Sequence, residues 1–136
     1  MKVSVRRSVR ERSRHRCEYC HIPDFALERE QLHVEHVIAK QHGGSDDPDN
    51  LAWCCSRCNA KKGPNLSSVD PLTGEIVRLF NPRTQPWNRH FQWIGDALLG
   101  RTRIGRATIS LFQMNESHRV VLRKQLRERE HWVDPE

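Results

Sequence analysis

Two Cys-x-x-Cys pairs constrain the fold of this chain more than any other feature of its sequence. They are Cys17-Glu18-Tyr19-Cys20 and Cys55-Ser56-Arg57-Cys58, and 34 residues lie between them. Each pair places two thiolates close enough to bind one ion, so the two pairs together predict a tetrahedral Zn²⁺ site. Four protein ligands leave no position for water or substrate, which predicts a structural zinc rather than a catalytic one.

The fifth cysteine, Cys54, is adjacent to Cys55 and creates an ambiguity of register. Only Cys55 has the two-residue spacing to Cys58. Because neighbouring side chains on a strand point to opposite faces, we expect Cys54 to face away from the zinc and to pack as a small apolar residue.

Length and composition predict one folded domain with a thin core. The chain has 136 residues, of which 36% are hydrophobic and 29% charged. We expect a single domain over 1–136, divided into a basic leading helix (1–16), a zinc-bound core (17–65), and hairpins and C-terminal helices (66–136). No apolar run reaches the roughly 18 residues of a membrane span, and the N-terminus lacks a signal-peptide pattern, so a cytoplasmic protein without a membrane partner is expected. Reducing compartments keep thiols free, which also favours metal binding over disulfides.

The net charge of +6 is unevenly distributed along the chain. Residues 1–16 contain seven basic residues and one acidic residue. Residues 17–65 contain five basic and eight acidic residues, and residues 66–136 contain eleven basic and eight acidic residues. Basic segments around an acidic centre suit a protein that attracts a polyanion and holds a divalent cation where the polyanion is attacked. The alternative is that the arginines only form solvated helix faces.

Local patterns predict an α+β fold with several short elements. A basic helix is expected from Val3 to about Arg14, a strand over Gln31–Ile38, a loop over Lys40–Asn50 and a second strand over Leu51–Cys54. Ser56 is expected to cap a helix that ends near Lys62, before Gly63-Pro64. Further along, the predicted elements are a strand over Ile76–Phe80, a hairpin around Gly95-Asp96, a helix over Gly105–Met114, and a helix over Glu116 to about Glu130 with Asn115 as its cap.

The segment between and around the cysteines resembles the HNH endonuclease family. The likeness lies in Glu35-His36, Gly43-Gly44, Asn50-Leu51 and Cys55-x-x-Cys58-Asn59-x-x-Lys62-Gly63. The likeness to small stand-alone bacterial HNH proteins continues beyond this core and covers about Arg14 to Arg127. The resemblance implies the ββα-metal fold, in which a helix packs across a hairpin, and it implies cleavage of phosphodiester bonds.

The resemblance also implies a role for each motif residue. His36 would be the general base, since imidazole titrates near neutral pH. Glu35 and Asn59 would hold a divalent ion, and their oxygen ligands favour Mg²⁺ or Mn²⁺. Asn50 would tie the loop by hydrogen bonds and so orient His36. On an extended strand Glu35 and His36 point to opposite sides, so both reach the substrate only if the backbone bends there.

Several basic residues are candidate phosphate contacts, and DNA is the expected partner, with RNA left open. These residues are Arg57, Lys61 and Lys62 on the predicted catalytic helix, and Arg10, Arg12 and Arg14 on the leading helix. His33 and His42 are weaker candidates as extra ligands. Two other readings stand beside the nuclease: a zinc-containing nucleic-acid-binding module without catalysis, and a partner protein whose tail helices bind another chain. Protein partners and target sequence are not indicated by the sequence.

Overall fold

The computed structural model describes residues 2–129, which form two compact units. Within the described residues, the first unit comprises 2–66 and 81–85, and the second comprises 67–80 and 86–129. Each unit combines helices with an antiparallel hairpin, which confirms the predicted α+β class. The single domain expected from the sequence stays a prediction. The predicted end of the last helix, Glu130, lies outside the described residues.

The first unit is built on one hairpin followed at once by a helix. Strand β1 (Leu32–His36) pairs antiparallel with β2 (Leu51–Cys55), with Glu35 opposite Ala52 and His36 opposite Leu51. Helix α2 (Ser56–Lys62) begins at the residue after β2, and all five residues of β2 are buried. This order, two strands and a helix, is the predicted ββα arrangement.

Helix α1 (Val3–Arg12) packs along the hairpin through a small apolar core. Val9 contacts the cluster that contains Leu32, Leu51 and Trp53. Arg6 donates to the carbonyl oxygen of Leu32, and Arg12 donates to that of Leu51 at 2.6 Å. Because Leu32 begins β1 and Leu51 lies opposite its last residue, α1 runs along the length of the strand.

The second unit contains two further hairpins and three helices. Its elements are β3 (Ser67–Val69), β4 (Ile76–Arg78), α3 (Trp87–His90), β5 (Phe91–Ile94), β6 (Ala97–Gly100), α4 (Arg103–Phe112) and α5 (Ser117–Glu128). The hairpin predicted around Gly95-Asp96 is confirmed as β5–β6. A bidentate ion pair between Asp70 and Arg106 and the Thr102 hydroxyl, which caps α4 by accepting from Gly105 N–H, stabilise this unit.

Several local predictions were wrong in their bounds or caps. The strands expected over Gln31–Ile38 and Ile76–Phe80 end at His36 and Arg78, and the helix expected over Gly105–Met114 spans Arg103–Phe112. Ser56 does not cap α2, because its hydroxyl contacts His33 Nε2 at 2.8 Å and the cap position belongs to Cys55. Asn115 does not cap α5, because its side-chain amide both donates to and accepts from the backbone of Leu98.

Among the residues that the structure describes, no helix is long and apolar enough to cross a membrane.

Candidate metal centre and catalytic site

Four buried cysteines come together at one point of the first unit. The sulfur atoms of Cys17, Cys20, Cys55 and Cys58 all lie within 4.8 Å of one another. Cys20 Sγ and Cys55 Sγ are 3.8 Å apart, too far for a disulfide bond. All five cysteines of the chain are free thiols.

The spacing of these sulfurs fits a tetrahedral zinc ion. With Zn–S bonds of about 2.3 Å, the edge of the tetrahedron is about 3.8 Å. The Cys20–Cys55 distance of 3.8 Å matches that edge. The four side chains are also almost completely shielded from water, as structural zinc sites are. The donor set and geometry therefore support a four-thiolate zinc site.

Cys54 lies outside this cluster, as predicted from the register. It is fully buried, and its thiol donates to the carbonyl oxygen of Cys55 at 3.4 Å. Burial raises the pKa of the Cys54 thiol well above its usual range. Its sulfur is not among the four that lie close to one another, so Cys54 packs as a small apolar residue.

The turn that carries the first cysteine pair is fixed to β2 by its own backbone and by Glu18. Cys17 N–H donates to Ile22 O at 3.0 Å, which closes the turn. Trp53 N–H donates to the Glu18 carboxylate at 2.8 Å, and Arg83 forms an ion pair with the same carboxylate. These contacts hold the first pair beside the second, which lies at the end of β2 and in α2.

His36 ends β1 and contacts a carboxylate in the following loop. Its Nε2 atom lies 2.7 Å from Asp46 Oδ1, and Lys40 Nζ lies 3.1 Å from Asp46 Oδ2. Hydrogen bonds from His36 and Lys40 lower the pKa of Asp46, so this carboxylate is ionised at neutral pH. An ionised carboxylate can only accept a hydrogen bond, so this contact favours the His36 tautomer with the hydrogen on Nε2.

Asn50 makes the loop-tying hydrogen bonds that the resemblance implied. Its side-chain oxygen accepts from Ile38 N–H at 2.8 Å, and its amide nitrogen donates to the carbonyl oxygens of Ile38 and Ser45. The side chain therefore joins the start of the loop, its middle and its end. This fixes the segment that presents Asp46 to His36.

Glu35 lies on the opposite side of β1 in a buried polar network. One oxygen of its carboxylate accepts from Tyr19 Oη at 2.7 Å, and the other lies 2.6 Å from Lys62 Nζ. Burial raises the pKa of Glu35, and the Lys62 ammonium opposes that rise. Lys62 also donates to the carbonyl oxygens of His36 and Val37, at 3.3 and 2.9 Å. The end of α2 is thereby fastened to the backbone of the candidate base.

The structure brings some of the candidate site residues together and separates others. His36 and Asn50 belong to one loop-bound arrangement, whereas Glu35 points away from His36, because β1 is a regular strand at this point. Asn59 lies in α2, partly buried. The oxygens of Glu35 and Asn59 suit a hard divalent ion in kind, but both oxygens of Glu35 already have partners.

The phosphate contacts expected from the sequence need one correction. Lys62 was wrongly placed among them, because only 2% of the residue is exposed and its ammonium is paired with Glu35. Arg10 is exposed but forms a bidentate pair with Asp24, and Arg12 donates to two backbone carbonyls. The other three candidates, Arg14, Arg57 and Lys61, are exposed.

Sequence reasoning missed three residues of this site. Asp46 was seen only as part of a turn, Tyr19 only as a spacer between cysteines, and Lys62 as a surface cation. For Lys62, the position three residues after Asn59 on a short helix was a usable signal, since it shares a helix face with Asn59 and Cys58. Nothing in the sequence marked Asp46 among the acidic residues of the same loop.

Comparison with known proteins identifies the segment that carries these residues. Residues 17–65 match the family model of the HNH endonucleases. This HNH segment contains the cysteine cluster, His36, Asn50 and Asn59. Over 129 residues, or 92% of the chain, the sequence is 26% identical to the Septu protein PtuB of Bacillus thuringiensis. The chain spans 46% of the length of that relative. No solved structure matches the chain.

Proposed function

We propose that this protein is a metal-dependent endonuclease that hydrolyses phosphodiester bonds of DNA, with His36 as the general base. The observation that carries the proposal is the pairing of His36 with Asp46 in a loop fixed by Asn50, within a segment that matches the HNH model. A cytoplasmic location is part of the same proposal.

The chain's own groups account for the proton transfer. The Asp46 carboxylate holds the Nε2 proton of His36, so Nδ1 takes the proton from the attacking water. As the water oxygen bonds to phosphorus, the bond from phosphorus to the 3′ oxygen breaks and the departing oxygen takes a proton from solvent. The products would carry a 5′-phosphate and a 3′-hydroxyl. Lys62 and Asn50 bond the backbone at His36 and at Ile38 and so fix the strand end that carries the His36 ring.

For the divalent ion we propose Glu35 and Asn59 as ligands, with Mg²⁺ or Mn²⁺ as the ion. When bound, such an ion would stabilise the charge that develops on the scissile phosphate. This requires the Glu35 side chain, which lies on the face of β1 opposite His36, to turn toward the substrate. In the described structure Glu35 Oε1 lies against Lys62, so ion binding competes with this ion pair. The two proposed ligands can therefore be tested separately from His36. If they hold the ion, Glu35→Gln and Asn59→Ala each lower the affinity of the protein for Mn²⁺.

The first prediction concerns cleavage by two histidine variants. His36→Ala is expected to lower the rate of plasmid nicking at least 100-fold, because a positioned general base contributes about 10²- to 10⁴-fold. His33→Ala is the matched control, since His33 lies on the same strand but contacts Ser56 on the other face. The measurement is nicking of supercoiled plasmid with Mg²⁺ or Mn²⁺, with single-stranded DNA and RNA assayed in parallel.

Nicking that persists in His36→Ala at the wild-type rate would remove His36 from the chemistry. If no divalent ion and no nucleic acid gives cleavage, while binding persists and falls with salt, the protein is the non-catalytic binding module instead.

A further inference from the structure

A basic groove lies beside α1, outside the contacts of His36. Its volume is about 380 Å³. The residues that line it and carry charge or aromatic rings are Arg6, Arg7, Arg10, Arg29, Asp24, Phe25 and Trp53. We call this cavity the α1 groove.

The single carboxylate of the α1 groove is already neutralised. Asp24 accepts from Arg10 Nε at 2.6 Å and Nη2 at 3.2 Å, and from Trp53 Nε1 at 3.1 Å. Arg6 is held as well, with its guanidinium 4.7 Å from the centre of the Trp53 ring. Arg7 and Arg29 are exposed at the rim. The groove therefore carries a surplus of positive charge, part of it fixed in place.

An exposed aromatic ring lies at the same groove. Phe25 is 64% exposed, whereas Trp53 is 1% exposed and forms the floor. Positive charge that follows a backbone, combined with an aromatic ring on which a base stacks, is the usual composition of a single-strand nucleic-acid site. A small inorganic anion would leave most of a 380 Å³ cavity empty. An acidic peptide offers a flat ring only where it carries an aromatic residue, whereas every nucleotide carries a base that can stack on Phe25.

The α1 groove and His36 share one face of β1. Leu32, which lines the groove, and His36 are four residues apart on a strand, so they point to the same side about 13 Å from each other. Helix α1 covers this distance, with Arg6 bonded at Leu32 and Arg12 at Leu51, opposite His36. Because α1 covers the face itself, a nucleic-acid strand leaves His36 along the side of α1 and reaches the groove within a few nucleotides.

We propose that the α1 groove binds the phosphodiester backbone of a nucleic-acid strand next to the cleavage position, with one base stacked on Phe25. This deepens the proposed function and rests on it for the location of the scissile bond. Binding by the groove itself does not depend on His36.

The test measures binding without cleavage. His36→Ala protein, without added divalent ion, is titrated into a fluorescein-labelled 20-nucleotide single strand at 50 to 200 mM salt. In this background Arg7→Glu/Arg29→Glu is expected to lower the affinity for the single strand at least tenfold. The slope of log affinity against log salt concentration is expected to become shallower, as it would if one to two phosphate contacts were lost. The matched control, Arg78→Glu/Lys124→Glu, changes the net charge equally at two exposed positions outside the groove and is expected to lower affinity less than threefold.

Phe25→Ala separates stacking from charge. It is expected to lower single-strand affinity about tenfold, since one stacked base contributes about that much, and to leave duplex affinity within about twofold. Circular dichroism spectra confirm that each variant is folded. Equal losses in both charge-reversal variants, or no loss in either, would overturn the proposal. The proposal would also be overturned if Arg7→Glu/Arg29→Glu bound polyglutamate more weakly than the parent protein does but bound the oligonucleotide equally well.

The two proposals fail in different ways. If His36→Ala retains wild-type nicking while Arg7→Glu/Arg29→Glu loses binding, the catalytic assignment falls and the groove stands. If His36→Ala abolishes nicking while the groove variants bind normally, the groove falls and the catalytic assignment stands.

Discussion

At the scale of single residues, Glu35 and Lys62 form a buried pair with no solvent to screen it. The Glu35 side chain is 5% exposed and that of Lys62 is 2% exposed. Removing one partner of such a pair leaves a charge without compensation in a low-dielectric surrounding, whereas removing both partners is often nearly neutral. The pair thus fastens the end of α2 to strand β1, so its loss is expected to destabilise the hairpin and to release the helix end.

We predict that Lys62→Met lowers the free energy of unfolding by about 3 to 5 kcal/mol, since it leaves the Glu35 carboxylate buried and unpaired. The double variant Glu35→Gln/Lys62→Met is expected to regain a large part of that loss. Urea unfolding of the wild type, both single variants and the double variant measures the coupling.

Lys61→Met is the control, because Lys61 is exposed on the same helix and is expected to change stability by no more than about 0.5 kcal/mol. Equal effects of Lys61→Met and Lys62→Met would show that the buried pair is not the source of the stability.

Residue types and spacing predicted part of the site at this scale. The four clustered cysteines and the exclusion of Cys54 from the cluster follow from the two-residue spacing, which needs no tertiary information. The loop-tying role of Asn50 came with the family resemblance. The partners of His36 and Glu35 could not be predicted, because Asp46 and Tyr19 come near them only through the fold.

At the scale of elements, the loop between β1 and β2 turns tightly around Gly44. A Cβ atom at Gly44 would lie 1.7 Å from the carbonyl oxygen of Ile38, so any larger residue forces the backbone apart. Gly43 has a φ of +86° but open space around its Cα. Gly44 is therefore required because the backbone of Ile38 approaches it closely, whereas Gly43 is favoured because its backbone is left-handed.

Gly44→Ala is expected to destabilise the first unit by more than about 2 kcal/mol, because the clash is with backbone rather than with a flexible side chain. It is also expected to lower nicking at least tenfold, since the displaced backbone at Ile38 adjoins the Asn50 bonds that fix the loop.

Gly43→Ala is the matched control and is expected to cost about 1 kcal/mol, the penalty of a left-handed conformation. Urea unfolding and nicking rates measure both effects. A Gly44→Ala protein as stable as Gly43→Ala would contradict the close approach at Ile38.

The regular elements of the HNH segment were largely predictable, while those of the second unit were less so. β1 follows from its mixture of β-branched and polar residues, β2 from a short apolar run after a loop of turn formers, and the end of α2 from the Gly63-Pro64 stop. β3 was missed because Ser67–Val69 has three residues and no alternating pattern, so its pairing with β4 is decided by tertiary contacts.

At the scale of the whole molecule, the four soft thiolate ligands form one group and the proposed oxygen ligands, Glu35 and Asn59, form another. The cysteine cluster offers four soft ligands with no open position, and it joins the N-terminal turn to the end of the hairpin. The candidate catalytic segment lies between the two cysteine pairs in sequence. The account therefore assigns zinc to structure and the cut to His36 with a hard divalent ion.

The central claim is tested most directly by measuring bound zinc and cleavage in the same samples. Wild-type and His36→Ala proteins are loaded with zinc, freed of excess ion, and incubated with supercoiled plasmid with and without Mg²⁺ or Mn²⁺. The account predicts one zinc per chain in both proteins, and nicking only by the wild type with added Mg²⁺ or Mn²⁺. Nicking by the zinc-loaded protein without added ion, or by His36→Ala with its zinc retained, would contradict it.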